Sequence, residues 1–434
     1  MSLFGTDGVR GVVNEELTPT LAFKIGNALG RVFEGEYILV GRDTRKTGEM
    51  LEAALSAGIA AAGKDVLICG ILPTPAIALL SNKMKTVGVI ISASHNPPEF
   101  NGIKIVKNGF KLPDDEEKRI EKMVDSEKLV DFNKVGRIKR FDEAFDIYTR
   151  EILRMYEDLN LSGLRISLDV ANGSAYLTTP YVLEKLGALI EVHSKEPDGL
   201  NINQGCGSTN IDFLRKRKKD GWIGIAHDGD ADRVILLDET GEEVHGDKII
   251  GIMALAMKKE GRLKNSKVVA TILSNLGLEE FLKSHGISLL RTKVGDRYVL
   301  EKMIAEGANL GGERSGHVIF LDRSTTGDGL ITALEILRFL KKTGQSLQSL
   351  HSPIEDYPQV MINVPVKDKK VVDNPKVKKI AEKLNGNGYR VVVRPSGTEP
   401  VIRVMVEGIE EDEARRRAEE IAEVVKEIDT QGSS

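Results

Sequence analysis

Two cysteines among 434 residues, Cys69 and Cys206, are too few for a disulfide framework or a thiolate metal site. Glutamine is scarce, five in all, while lysine and glutamate abound, a balance found in heat-adapted proteins and in ordinary compositional drift alike. No apolar run approaches the ~18 residues of a membrane span. Asp7 and Arg10 interrupt the N-terminus before a signal-like stretch forms. Neither sign of charge dominates, since 61 basic and 65 acidic residues leave a net charge of −4. There is no global pull toward nucleic acid or an anionic membrane, so any anion must be bound locally. What remains is globular stock, 41% hydrophobic and 29% charged, which rules out wholesale disorder. A soluble, cytoplasmic protein is expected, with neither nucleic acid nor membrane as partner.

At roughly 150 residues per domain the length implies about three domains, or four if some are small. The first 150 residues alternate apolar strands with amphipathic stretches. Thr18 and Pro19 form a helix start, strands follow at Tyr37 to Val40 and Val66 to Ile68, and Val87 to Ser92 runs into a polar loop. Such alternation predicts a mainly parallel sheet with helices on its faces. The pattern restarts near Leu164 and again near Val268, whereas the last 75 or so residues read as strand, helix, two strands and a charged helix. The expected fold is α/β, with three similar mixed-sheet domains, 1–150, 151–246 and 247–356, and a C-terminal α+β domain, 357–434.

Five loops carry chemistry. In the first, Ser94 and His95 directly follow the strand Val87 to Ile91, and ligands in such sheets sit off the carboxyl ends of strands. A helix-capping serine in an ordinary turn is the bland alternative. The second, Asp228 to Arg233, puts carboxylates at Asp228, Asp230 and Asp232, hard oxygen ligands for a divalent cation such as Mg²⁺. Without a cation they would repel one another strongly. A calcium EF-hand fails here, because Arg233 stands where a sharp turn needs glycine and both flanks read as strands.

The third loop, Gly311 to His317, offers glycines for close approach and Glu313, Ser315 and His317 as partners for sugar hydroxyls; a plain glycine hairpin reads equally well. In the fourth, Arg394 to Pro400, two guanidinium groups (Arg394 and the nearby Arg403), hydroxyls and a glycine backbone form a phosphate cradle. The fifth comprises Phe4 to Gly11 and Gly41 to Arg45, arginine-bearing loops that could steer an anion or pair as structural charges. Together a serine nucleophile, a carboxylate-bound cation, a polyol site and a phosphate cradle describe phosphoryl transfer on a sugar phosphate.

Taken in order along nearly the whole chain, these loops resemble the α-D-phosphohexomutase family. FGTDGVRG (Phe4 to Gly11), LNINQGCGST (Leu200 to Thr209), KVGDRYV (Lys293 to Val299), GGERSGH (Gly311 to His317) and STTGDG (Ser324 to Gly329) are similar to its glucosamine-phosphate branch. The resemblance implies four domains around a central cleft, the last like the TATA-binding-protein fold. It implies interconversion of glucosamine 6-phosphate and glucosamine 1-phosphate, on the way to UDP-N-acetylglucosamine. Ser94 would be the phosphoserine and a ligand to one Mg²⁺ beside Asp228, Asp230 and Asp232, with a sugar 1,6-bisphosphate as intermediate and activator.

By the same resemblance Lys104 is the general acid/base, its basicity lowered by burial beside cations, while His95, Arg10 and Arg233 attend the transferring group. Glu313, Ser315, His317 and Lys293 would hold the sugar, and Arg394, Ser396, Gly397, Thr398 and Arg403 the distal phosphate. A homodimer would suit the family. Arg314, where many glucosamine-type relatives carry glutamine, and Asn210, where histidine is frequent, leave a broad phosphoglucomutase/phosphomannomutase activity as the alternative. A metal-dependent phosphatase would usually place an aspartate nucleophile after a strand, and a silent sugar-phosphate sensor would not need Ser94, Lys104 and three aspartates.

Overall fold

The helix Pro19–Val32 begins as its sequence predicts: the Thr18 hydroxyl accepts from the Leu21 amide at 3.1 Å and proline takes the first turn. It packs on Gly48–Ala61, and glycines let the two backbones touch. A Cβ on Gly26 would lie 2.1 Å from the Leu55 carbonyl oxygen, and one on Gly58 would lie 2.0 Å from that of Phe23. The pair buries Ile25, Leu29, Leu51, Leu55 and Ile59 in one core with Val40, Val66 and Val89 of the adjacent sheet.

The computed structural model describes residues 3–5, 7–396 and 399–431. They form two compact units, Met1–Thr271 with Leu290–His351, and Ile272–Leu289 with Ser352–Ser434. The first unit is built on mixed sheets. One has the order Val9–Val12, Phe100–Lys107, Val87–Ile91, Tyr37–Arg42, Asp65–Ile71, Ile138–Arg140, with Phe110–Lys111 paired to Phe100–Lys107. Its Tyr37–Arg42 strand runs parallel to both neighbours, while Val87–Ile91 pairs antiparallel with Phe100–Lys107, Ile90 opposite Lys104.

In the second sheet Ile223–His227 is parallel to Arg165–Asp169 and forms an antiparallel hairpin with Val234–Leu237. In the third, Lys267–Thr271 runs parallel to Leu310–Gly312, which turns back into Val318–Phe320. Each carries one of the predicted loops at a strand end.

The second unit has an antiparallel sheet with Val401–Gly408 between Gln359–Pro365 and Tyr389–Pro395. Val364, Ile402, Val404 and Val406 share a core with Ala414, Ala418 and Ile421 of the helix Glu411–Gln431. Residues 272–289, read from sequence within the third domain, group with this unit. Arg390 explains the grouping: it donates to the Ile272 carbonyl at 2.7 Å, to that of Ser274 at 2.8 Å, and to the buried Glu407. Three mixed sheets and one antiparallel sheet match the architecture that the sequence pattern implied.

The Pro19–Val32 and Gly48–Ala61 contact leaves no room for a side chain at Gly58. Gly58→Val is expected to cost about 1–3 kcal/mol, seen as a lower unfolding midpoint by calorimetry; an unshifted transition would refute the backbone-to-backbone contact.

Candidate active site

The aspartate loop is the turn of a hairpin closed by the pair His227 and Val234. Its backbone is pinned by amides from three distant segments. Ser174 donates to the Gly229 carbonyl at 2.8 Å, Thr74 to that of Asp230 at 3.0 Å, and Gly329 to that of Ala231 at 3.0 Å. So held, one ligand oxygen from each of Asp228, Asp230 and Asp232 can be chosen such that all lie within 4.8 Å of one another, and all three residues are buried.

The electrostatics of this cluster are lopsided. Burial first, then the Asp232 and Asp230 carboxylates, push Asp228 up to about 8. Burial acts likewise on Asp232, yet Lys104, His317 and Arg233 outweigh it and hold that carboxyl well below the usual range. Asp230 Oδ1 and Asp232 Oδ1 are buried without a hydrogen-bond donor among the described residues. Oxygen ligands that repel one another, two of them lacking donors, fit a hard divalent cation.

Ser94 faces this cluster. Its hydroxyl donates to Asp228 Oδ2 at 2.7 Å, and its Oγ lies 3.3 Å from His95 Nδ1. The residue has φ of +53°, in the left-handed region that non-glycine residues rarely occupy. That conformation is held from all sides. The Ser94 amide donates to Ser92 Oγ at 2.9 Å. Its carbonyl accepts from Arg45 Nη2 at 2.9 Å and from Asn203 Nδ2 at 2.9 Å. A Cβ on Gly229 would come within 2.6 Å of the same carbonyl oxygen, so the serine and aspartate loops touch through backbone.

Lys104 projects into the same place from the strand paired to Val87–Ile91. Its Nζ lies 2.8 Å from Asp230 Oδ2, 3.0 Å from Asp7 Oδ2 and 3.6 Å from Asp232 Oδ2. The expected lowering of its basicity is not what the site provides. Burial does lower it, but Asp230, Asp7 and Asp232 outweigh burial and raise the pKa, because its neighbours are mostly carboxylates rather than cations.

Beside these groups opens a cavity of about 520 Å³, lined among others by Asp7, Arg10, His95, Arg233, Glu313 and His317. Arg10 Nε and Arg233 Nε are buried there without a hydrogen-bond acceptor among the described residues, as an anion site requires. Burial, then Arg233 and Arg10, lower His95 to about 4, so its ring is neutral. Glu313 and His317 belong to the hairpin turn between Leu310–Gly312 and Val318–Phe320, and the Gly316 carbonyl accepts from the Val234 amide at 3.1 Å. That bond ties the Gly311 to His317 hairpin to the aspartate hairpin. His317 Nε2 accepts from the Gly327 amide at 3.1 Å, while Nδ1 faces Asp232 at 3.6 Å. Two nearby carboxylates favour the protonated ring against burial, but the amide contact is the more directional, and it puts the proton on Nδ1.

Not every expected residue reaches this cavity. Lys293 is exposed, its Nζ 5.8 Å from the Tyr298 ring centre, and Ser315 is exposed on its turn; neither lines the cavity. In the C-terminal unit Arg394 and Arg403 stand opposite one another on paired strands, and burial, then Arg403, lowers the Arg394 pKa. Like charges so placed favour an anion between them. Ser396 is buried beside them, its carbonyl accepting from Lys369 Nζ at 2.7 Å. Gly397 and Thr398 lie outside the described residues.

Sequence reasoning left the Gly41 to Arg45 loop open between an anion site and structural pairing; the structure gives pairing. Arg45 is buried and spends every N–H: on Asp43 at 3.0 Å, and on the carbonyls of Ser94, Asn96, Pro97 and Phe100. Arg42 pairs with Glu49 and Glu52. Asp7, Lys111 and Asp296 were not singled out, yet they surround Lys104 and the cavity.

The phosphoglucomutase/phosphomannomutase family models match four consecutive pieces of the chain. Alpha/beta/alpha domains I, II and III match residues 1–131, 146–241 and 245–357, and the C-terminal domain matches 361–424. A protein of Thermosipho africanus named phosphoglucosamine mutase is 56% identical over 99% of this chain and 99% of its own. One of that name from Thermotoga maritima is 54% identical over 98% and 99%. Among solved structures, a phosphoglucomutase/phosphomannomutase family protein of Burkholderia thailandensis superposes with a TM-score of 0.83 at 24% identity, covering 97% of this chain and 98% of its own. The Aspergillus fumigatus N-acetylphosphoglucosamine mutase, solved with GlcNAc-6P and magnesium, superposes with a TM-score of 0.67 at 17% identity, over 98% of this chain and 96% of its own. Matched by all four domain models in order and more than half identical to relatives along almost its full length, the chain belongs to the phosphoglucomutase/phosphomannomutase family of phosphohexomutases.

Proposed function

We propose that this enzyme interconverts glucosamine 6-phosphate and glucosamine 1-phosphate through a phosphorylated Ser94 and a glucosamine 1,6-bisphosphate. The observation that carries the reading is the Ser94 hydroxyl, 2.7 Å from Asp228 Oδ2 in a left-handed turn, beside a cavity with two buried arginine Nε groups that have no hydrogen-bond acceptor among the described residues. The relatives named phosphoglucosamine mutase, more than half identical over nearly the full chain, supply the sugar.

In the first half-reaction the free hydroxyl of the sugar phosphate attacks phosphorus on phosphorylated Ser94. The bond from phosphorus to Ser94 Oγ breaks, the attacking hydroxyl loses its proton, and Ser94 Oγ is left protonated, giving the bisphosphate. In the second, the intermediate has turned around, and Ser94 Oγ attacks phosphorus of its other phosphate. That returns a phosphoryl group to serine and frees the isomeric monophosphate. Lys104, held charged by its carboxylates, gives its proton to Ser94 Oγ as that oxygen departs and takes up the proton of the attacking hydroxyl in its place. In the second half-reaction the same exchange runs from Ser94 Oγ to the departing sugar oxygen.

Arg10 and Arg233 bind the phosphoryl oxygens, with neutral His95 as a hydrogen-bond partner to Ser94 Oγ. Glu313, Ser315, His317 and Lys293 are assigned to the sugar. Arg394, Ser396, Gly397, Thr398 and Arg403, in the C-terminal unit, are assigned to the non-reacting phosphate. Asp228, Asp230 and Asp232, with phosphorylated Ser94, would hold a magnesium ion, and that ion would supply neutralisation of charge on the transferring group.

Turnover of glucosamine, glucose and mannose phosphates, with Mg²⁺ and a trace of sugar 1,6-bisphosphate, tests the reading. Glucosamine phosphate is expected to be the best substrate, and equal or faster turnover of the others would make the enzyme a broad hexomutase. Ser94→Ala is expected to lower the rate by several orders of magnitude; retained mutase activity would end the phosphoserine mechanism. Mg²⁺ is expected to raise the thermal unfolding midpoint in a manner reversed by chelator, since only the folded chain assembles the ligands. Asp230→Asn is expected to shrink that rise, and an identical Mg²⁺ response would remove Asp230 from the ligand set.

A further inference from the structure

We propose that Lys111 and Asp296 are positioning residues for phosphoryl transfer, acting through Asp7 on Lys104 and Arg10. The inference rests on the mutase reading and concerns three side chains that this reading does not use, Asp7, Lys111 and Asp296.

Lys104 has three carboxylate neighbours, and two of them, Asp230 and Asp232, belong to the cation cluster. Whenever a cation engages those two, Asp7 is the remaining carboxylate close to the Lys104 ammonium. The place of Lys104 then depends on what holds Asp7. Asp7 also pairs with Arg10, so one carboxylate orients both the proton carrier and an arginine of the cavity.

Asp7 sits in the opening loop, and its other carboxylate oxygen is gripped by Lys111 Nζ, from the two-residue strand Phe110–Lys111. Lys111 Nζ also lies 2.5 Å from Asp296 Oδ2. Asp296 opens the helix Asp296–Glu306, and its Oδ1 accepts from the Arg297 amide at 2.9 Å. The row therefore alternates in sign: Lys104, Asp7, Lys111, Asp296. It starts beside the aspartate loop and ends 3.6 Å from His317 of the sugar loop.

Lys111 is absent from the cavity lining, whereas Asp7, Arg10 and Asp296 are part of it. Its influence on chemistry must pass through its neighbours. Without Lys111, two carboxylates would face each other across the vacated position with no cation between them. Asp7 would then swing away from its present rotamer, and Lys104 and Arg10 would lose their common anchor.

A purely structural ion pair predicts something different: lost stability, with the rate per folded molecule unchanged. Steady-state kinetics of the full chain with Mg²⁺ and sugar 1,6-bisphosphate separate the two, using wild type, Lys111→Met, Lys111→Arg and Asp296→Asn, each with its thermal midpoint. Lys111→Met and Asp296→Asn are expected to lower kcat by roughly tenfold to a hundredfold with KM little changed, and Lys111→Arg to recover most of the rate. The double variant Lys111→Met with Asp296→Asn is expected to be no slower than the worse single one, because both break the same row. A folded Lys111→Met or Asp296→Asn enzyme with wild-type kcat overturns the inference. Should Lys111→Met not fold, the isosteric Asp296→Asn decides alone. A wild-type enzyme that turned over no hexose phosphate would instead overturn the mutase reading.

Discussion

Three carboxylates on one six-residue hairpin turn, all buried, are the constraint around which the first unit is arranged. Like charges in a low-dielectric setting repel far more than they would in water. The turn survives because its carbonyls are claimed from outside by Ser174, Thr74 and Gly329, and because Lys104 and Arg233 supply countercharge. The compensation is incomplete: among the described residues, oxygens without hydrogen-bond donors remain on Asp230 and Asp232. Held rigid and buried, the three carboxylates form a set of oxygens that could hold a divalent cation.

Rigidity is distributed in the same way around Ser94. Arg45 does for the serine loop what the three amides do for the aspartate loop, gathering four carbonyls onto one guanidinium fork. The two loops then meet at Gly229 with no space for a side chain between them. The Ser94 hydroxyl and the Asp228 carboxylate are thus held close by contact between backbones, the kind of positioning on which phosphoryl transfer depends.

How much of this was legible in the sequence depended on whether the chemistry was local. Aspartates at alternate positions between two apolar runs announce an oxygen-ligand turn, and the structure has that turn as a hairpin. A serine just after the buried strand Val87–Ile91 announces a loop off the carboxyl end of a central strand. The Arg45 clamp was ambiguous because its acceptors are carbonyls 49 to 55 residues away, and carbonyls carry no sequence signature. Asp7, Lys111 and Asp296 were given no role for a related reason: their partners lie on distant segments, and the pairing of Asp7 with Lys111 spans 104 residues. The environment of Lys104 was misread because burial is visible in an apolar strand, whereas the sign of its neighbours is set by tertiary contacts. Lys293 and Ser315 sit in recognisable stretches, yet their side chains lie in solvent.

The left-handed backbone at Ser94 also bears on which amino acids could ever replace it. A β-branched residue is poorly accommodated at positive φ, so threonine, chemically the nearest hydroxyl, is conformationally a distant one. Aspartate and asparagine tolerate that region far better. Substitution at this position therefore follows backbone shape before it follows reactivity. The loop admits a carboxylate at this position more readily than it admits an alternative alcohol, and this favours serine over threonine there independently of any difference in nucleophilicity.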